Sequence, residues 1–308
     1  MSTPSATSKP SDRLRLIAAF AAVWFLWGSS FVATKIMVGE LPPILSVSFR
    51  CASAGFILLV IGSWQGHTWP KDWLQWRHVV VMAVLAIVQS TTLNVLAAKH
   101  VASNELALLN ASAAFWIVLF GAFGLHGTRL GKRAWGSIAL GFGGVAMLLL
   151  PRGDEHESPM LWMLVVLLAC VSWALATAYF RNTRPRTNPL MFNALQLGCG
   201  GLVLLPIGLL AGESPHFHWT ATGVASLGFL TICSSCIGYS AFTYLMTRVS
   251  PAQLSTYAYV NPLVATLMGW WLLNEALAPA QWIGGIVILA SVAVINLPAH
   301  STKSRNPA

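Results

Sequence analysis

Charge is what this chain lacks most. Of 308 residues, 9% are charged and 56% are hydrophobic, whereas a soluble globular chain carries roughly 25% charged residues. So few ions cannot cover the surface of a water-soluble fold of this length, so lipid must be the solvent for much of it. No GxxxxGK[ST] is present to cradle nucleotide phosphates and no HExxH to hold zinc, which argues against an ATP-driven motor and a zinc hydrolase. No Asp or Glu falls near the midpoint of a long apolar stretch, so the buried carboxylate of a proton-driven carrier is missing. The five cysteines (51, 170, 199, 233, 236) all lie in apolar stretches. Cys233 and Cys236 form a CxxC without the strand–helix setting of a redox site, and read as packing residues. The eight histidines lie almost wholly in loops, against the convergent His, Asp or Cys residues that a membrane enzyme needs. His216 and His218 beside Glu213 are the nearest approach to a metal site and read as neighbours in a short outer loop. No metal and no cofactor is implied.

What is present is apolar length. A membrane-spanning helix needs about 20 mostly apolar residues. Ten stretches approach that: Leu16–Val38, Ile44–Ile61, Val79–Ala98, Leu106–Leu125, Ala134–Leu150, Met160–Phe180, Leu190–Ala211, Ala221–Met246, Leu254–Leu273 and Ala280–Leu297. The expected fold is an all-α polytopic membrane protein of ten transmembrane helices. It is flanked by a cytoplasmic leader, 1–13, and a cytoplasmic tail, 299–308. Fourteen tryptophans suit such a chain, since indoles favour the bilayer interface.

The net charge of +9 is scattered between apolar blocks, without the basic stripe of a nucleic-acid partner. Along the ladder of helices it alternates. One side holds Lys9, Arg13, Arg15, Lys71, Arg77, Arg129, Lys132, Arg133, Arg181, Arg184, Arg186, Arg248, Lys303 and Arg305; the other has only Lys35, Arg50, Lys99 and Arg152. The richer side is expected to be cytoplasmic. That puts both termini inside, which requires an even number of spans.

The sequence also matches itself at half its length. Trp27 corresponds to Trp173, Pro43 and Arg50 to Pro189 and Gln196, Gly55 to Gly201, Leu106 to Leu254, Gly121 to Gly269 and Gly136 to Gly284, all at offsets of 146 to 148. The repeat units are 14–152 and 158–298, each of five helices. An odd number makes the second copy enter the membrane in the opposite sense. The expectation is therefore two inverted five-helix repeats, the symmetry by which alternating-access carriers exchange two conformations around a midplane site.

Trp27-Gly28-Ser29-Ser30-Phe31, then Lys35, Pro43 and Arg50, resembles the opening of an EamA domain of the drug/metabolite transporter superfamily. Ser250-Pro251-Ala252, Asn261-Pro262, Asn274-Glu275 and Trp282-Ile283-Gly284-Gly285 resemble the close of the same domain. The resemblance runs from Leu16 to Leu297 as two copies. It implies ten helices, an inner (plasma) membrane location and movement of metabolites such as amino acids without a nucleotide-driven motor. The chain departs from an even repeat at Ala114, where the second copy has Pro262, and at Gly127, where it has Glu275. The fourth helix is thus expected to be straighter than the ninth.

Candidate cavity residues are polar or aromatic side chains within the apolar stretches, where polar groups tend to face a cavity or a neighbouring helix. Gln89, Asn94, Asn110 and Asn261 are primary amides whose four hydrogen-bonding sites a single helix cannot satisfy. Trp24, Trp27, Trp116, Trp173, Tyr239 and Tyr257 either line the same cavity or pack against helices and lipid. Pro262 removes the hydrogen bond to the carbonyl of Ala258 and marks a hinge or a packing kink. Arg50 lies about 9 Å inside its helix at 1.5 Å per residue, where exposure to lipid would cost at least about 3 kcal/mol. It either holds the outer mouth of the cavity, paired with Glu105 or receiving a substrate carboxylate, or anchors the helix to headgroups.

The function expected from all this is secondary transport of small organic metabolites by alternating access, with efflux of amino acids or related compounds foremost. Its partners are a small-molecule substrate and membrane lipid. A channel-like permease and an integral-membrane enzyme are the alternatives.

Overall fold

The computed structural model describes residues 10–122, 130–149, 158–249, 254, 256–276 and 279–296. The leader up to Lys9, the tail, and Arg152 with its acidic neighbours lie outside them. Among the described residues the chain is helical, apart from its short connections. In order come α1 (Asp12–Glu40, continuing a first turn from Pro10), α2 (Pro43–Trp64), α3 (Trp73–Ala98), α4 (Ser103–Ala122), α5 (Lys132–Leu149), α6 (Met160–Thr183), α7 (Pro189–Leu210), α8 (Ala221–Met246), α9 (Tyr257–Leu273) and α10 (Pro279–Asn296). Seven of them, α1 to α4 and α6 to α8, are long and apolar enough to cross a membrane. The apolar segments of α9 and α10, Val260–Leu273 and Trp282–Val294, are shorter. Large apolar side chains such as Phe56, Leu168, Leu202 and Leu267 stay exposed along the helices, while Trp64, Trp73 and Trp219 stand exposed at helix ends. A lipid belt bounded by interfacial indoles accounts for both. The chain is an integral membrane protein.

Local sequence sets the helix ends. Pro43 and Pro189 open α2 and α7, where a missing N–H costs nothing. The Asn188 side chain accepts from Leu190 N at 2.9 Å, and Thr220 Oγ1 accepts from Gly223 N at 3.0 Å. The α6 and α9 helices stop on left-handed residues, Arg184 (φ 44°) and Asn274 (φ 53°).

Packing follows a two-fold pattern. The α2 helix lies along α7, α5 along α10 and α4 along α9; α1–α9 is matched by α6–α4, α1–α8 by α6–α3, and α2–α8 by α7–α3. Exchanging α1 to α5 with α6 to α10 converts each pair into itself or another of the set. At the α2–α7 crossing a Cβ on Gly55 would lie 2.4 Å from Gly198 N, and one on Gly201 would lie 2.4 Å from Ala52 N. Only glycine allows that backbone approach.

The repeat also preserves a departure from ideal helix. Ala83–Thr91 in α3 and Leu230–Gly238 in α8 are both nine-residue π-helical segments. Leu230 follows Ala83 by 147 residues, as Gly238 follows Thr91. Long runs of this geometry are rare and gather at functional positions.

The helix ends sort into two faces. On one, Glu213 accepts from Ile44 N at 3.1 Å and Leu45 N at 2.7 Å, so a loop of the second half caps α2 of the first. Glu275 does the same for α4, accepting from Ser103 N, Ser103 Oγ and Asn104 N at 2.9, 2.6 and 3.2 Å. A carboxylate suits both sites because exposed N–H groups and the helix dipole converge there. On the other face, near Pro10, His78 Nδ1 bonds Tyr179 OH at 2.7 Å and Thr187 Oγ1 donates to Gln75 at 3.0 Å.

The fourth helix is not the straighter one. It breaks at Ser112 between Ser103–Ala111 and Ala113–Ala122, whereas α9 runs unbroken through Pro262 from Tyr257 to Leu273. Side chains intrude on the α4 ladder: Asn110 Nδ2 donates to Leu106 O at 2.8 Å and Cys170 Sγ to Leu109 O at 3.6 Å. Such competing donors interrupt a helix without any proline.

Candidate functional site

A cavity of about 150 Å³ lies at the centre of the bundle, lined by both halves. Along α1 it is bounded by Trp27, Ser30, Phe31 and Thr34, one face at helical spacing. It reaches Val95 near the end of α3 and Leu106 near the start of α4, both toward the face that carries Glu213 and Glu275. Toward the Pro10 face it stops at Trp27, Trp173, Tyr239 and Tyr257.

Those four rings close on one another with Phe242. Trp27 meets its repeat partner Trp173 edge-on at 5.9 Å, Tyr239 at 5.5 Å, Tyr257 at 5.7 Å and Phe242 at 4.9 Å. The indole of Trp27 donates to Ser234 O at 3.2 Å, and that of Trp173 to Tyr257 OH at 3.3 Å. Edge-to-face pairs add about 1 kcal/mol each beyond burial, so the cluster is a stable plug.

The polar wall is built around the π segments. In α3, Thr91 Oγ1 donates to Ala86 O at 2.8 Å and Thr92 Oγ1 to Ile87 O at 3.2 Å. Asn110 Nδ2 bonds Asn94 Oδ1 at 2.7 Å, and Asn94 Nδ2 bonds Ser90 O at 3.1 Å. In α8, Ser235 Oγ accepts from Arg50 Nε and Ser234 Oγ from Arg50 Nη2, each at 2.9 Å. Asn261 is buried, and its Oδ1 meets no hydrogen-bond donor among the described residues.

Among the residues expected from the sequence, Trp27, Arg50, Asn94, Asn110, Trp173, Tyr239, Tyr257, Asn261 and Pro262 come together around this space. Three others do not border it. Trp24 lies one turn nearer Pro10, beneath the plug, and donates to Thr256 Oγ1 at 3.1 Å. Gln89 turns to α6, where its Oε1 accepts from Ser172 Oγ at 3.0 Å. Trp116 lies beyond the α4 break and packs on Phe142 and Phe120. Arg50 and Glu105 are bonded separately: the arginine to Ser234 and Ser235, the glutamate to Ser158 Oγ. Arg50 is 6% exposed, too deeply enclosed to reach headgroups. Lys35 Nζ donates instead to Val101 O at 3.0 Å, just past the end of α3. Phe31, Thr34 and Phe242 were not foreseen, although the spacing of Phe31 and Thr34 from Trp27 carried the signal for the first two.

A helical membrane protein with a central cavity of mixed polar and aromatic walls, lined by both of two repeated halves, has the build of a solute transporter. The chain belongs to the EamA-like transporter family, whose model matches it twice, over residues 14–150 and 160–297. It is 30% identical over 284 residues to the "Uncharacterized inner membrane transporter YedA" of Escherichia coli (strain K12), covering 91% of this chain and 90% of that one. It is 26% identical to the "Uncharacterized transporter YvbV" of Bacillus subtilis (strain 168), over 96% and 95% of the two chains, and 26% identical to "Protein PecM" of Dickeya dadantii (strain 3937), over 88% of each. A solved crystal structure at 21% identity superposes with a TM-score of 0.67 over 92% of this chain and 97% of the other, a likeness of fold.

Proposed function

We propose that this protein is a secondary carrier that moves small organic metabolites, amino acids or related compounds, out of the cell across the inner membrane by alternating access. Its ten helices cross as two inverted units, 14–152 and 158–298, with both termini in the cytoplasm. One observation carries this reading: a central cavity bounded by both halves, extending toward one face and closed toward the other by the Trp27 and Trp173 plug. The relatives named as transporters support it. So does the dyad pattern of helix contacts, because two like halves can interchange their conformations around a site on the axis. The face with Glu213 and Glu275 is then periplasmic, and the cavity is held in its outward-facing form. Among the described residues no Asp or Glu lines the cavity, and the proposed cycle is one that needs no titrating carboxylate there.

Purified protein in proteoliposomes is expected to carry radiolabelled amino acids with saturable flux that unlabelled solute competes away. Flux that rises without limit would turn the reading toward a channel. Reporter fusions after Leu297 should be active only in the cytoplasm, and a periplasmic C-terminus would remove both the orientation and the even number of spans.

A further inference from the structure

Arg50 stands at the cavity wall with its charge unanswered. Among the described residues its bonds go only to two hydroxyls, Ser235 and Ser234. Three carboxylates on the same face are engaged elsewhere: Glu213 on α2's first amides, Glu275 on α4's, and Glu105 with Ser158. Of the five N–H groups of a guanidinium, those on the Nε–Nη2 edge are held by the serines. The end-on Nη1–Nη2 fork remains, the geometry that receives a carboxylate through two parallel bonds. A scaffold role for the charge is contradicted by the repeat. The α7 helix makes the same crossing with neutral Gln196 at the matching position, its Nε2 donating to Asn193 Oδ1 at 2.8 Å.

The rest of the lining narrows the ligand. The rings of Trp27, Trp173 and Tyr257 border the same cavity and suit an apolar or aromatic body.

The geometry points to Arg50 as the receiver of a ligand carboxylate, and to a substrate class of organic monocarboxylates with an apolar or aromatic body. This rests on the carrier reading above and specifies its substrate. The charge of Arg50 cannot be shed, because a guanidinium keeps its proton even when buried. An anion in the cavity therefore restores neutrality, while a neutral isostere of the same shape does not.

The test compares 4-hydroxyphenylacetate with 4-hydroxyphenylacetamide, two probes of nearly equal size that differ in the carboxylate. Binding is read by tryptophan fluorescence of the purified full-length protein in detergent. The acid is expected to bind at least tenfold more tightly than the amide. In Arg50→Gln, which places the repeat's own residue there, the preference should fall to within twofold, with unfolding temperature and elution profile confirming an intact fold. Arg50→Lys should retain part of it. Equal binding of acid and amide by the wild-type chain, no binding of the acid, or an undiminished preference in Arg50→Gln would each overturn the assignment. The wild-type comparison decides even if a variant fails to fold. Flux in proteoliposomes separates the two readings. Acid binding through Arg50 without flux of any solute removes the carrier and leaves the site, whereas competable flux indifferent to Arg50→Gln removes the site and leaves the carrier.

Discussion

On the Glu213 side of the aromatic plug the helices stand apart around about 150 Å³. On the Pro10 side, helices α3, α6, α7 and α8 enclose only about 20 Å³, between Gln196, Asn193, Thr243, Thr177 and Phe180. This small pocket is the repeat image of part of the large one: Gln196 stands for Arg50, and Thr177 and Phe180 on α6 stand for Phe31 and Thr34 on α1, all at an offset of 146. Several polar groups inside it bond one another, with Asn193 Nδ2 donating to Thr243 Oγ1 at 2.8 Å and Tyr239 O at 3.2 Å, while Gln196 Oε1 meets no donor among the described residues. One packing solution is thus shown twice, once open and once collapsed. The same side chains that would line a cavity bond each other when it is shut.

The largest effects should come from the crossing that both ends share. In Gly201→Val the new side chain meets the Ala52 backbone and Ser48 O, and neither can move aside. Overpacking of this kind costs about 3 kcal/mol, so the variant is expected to lose most of its folded yield in the membrane. Normal yield and an unchanged unfolding temperature in detergent would mean that the helices do not cross this closely.

The divide between open and collapsed ends is set by Trp27, so Trp27→Ala should blur it. Four aromatic pairs are lost, about 2 kcal/mol at the low end of their individual values. A cysteine introduced at Thr177 should become reachable from the Glu213 side by a membrane-impermeant thiol reagent. If it stays as protected as in the presence of Trp27, the plug is not what closes the lower end.

The capping glutamates sharpen the comparison on a smaller scale. Glu275→Gln should cost about 1 kcal/mol through loss of the charge at the α4 N-terminus, read as a lower unfolding temperature. Glu213→Gln should cost less, because Glu213 answers two groups rather than three.

His100 should give the smallest effect. It stacks on Trp162 at 4.2 Å, and burial, then the charges of Lys99 and Lys35, hold its pKa below the ordinary 6.5. The neutral ring is the form the fold prefers, so its contribution is complete above pH 6.5 and is lost as pH falls from there through the lowered pKa of the folded state. An NMR titration should find its midpoint below 6.5, and a midpoint above it would mean that desolvation and the two lysines do not govern the ring.

The architecture was more legible in the sequence than the site. Apolar stretches gave the helices because hydrophobic length is a property of a segment alone, and the offset near 147 gave the halves because duplication leaves residues in register. The pairing of Gly55 with Gly201 was visible for the same reason. What the sequence did not show was depth and rotation. Trp24 and Trp27 share a face, yet one turn of height puts Trp24 below the plug. Gln89 and Asn94 sit in or beside a π segment, whose altered twist sends Gln89 to Ser172 and leaves Asn94 at the cavity. The α4 break came from Asn110 and Cys170, groups with no breaker signature, while Pro262 kept its helix whole.

The matched π segments also record a history. A nine-residue stretch of uncommon helix stands at the same place in both halves, Ala83–Thr91 and Leu230–Gly238, and two independent origins at one register would be a coincidence. Duplication of one unit that already carried it explains the match. Each copy brings its segment to the cavity wall, Ser90 and Thr91 from the first and Ser234 from the second, so neither half encloses the space alone.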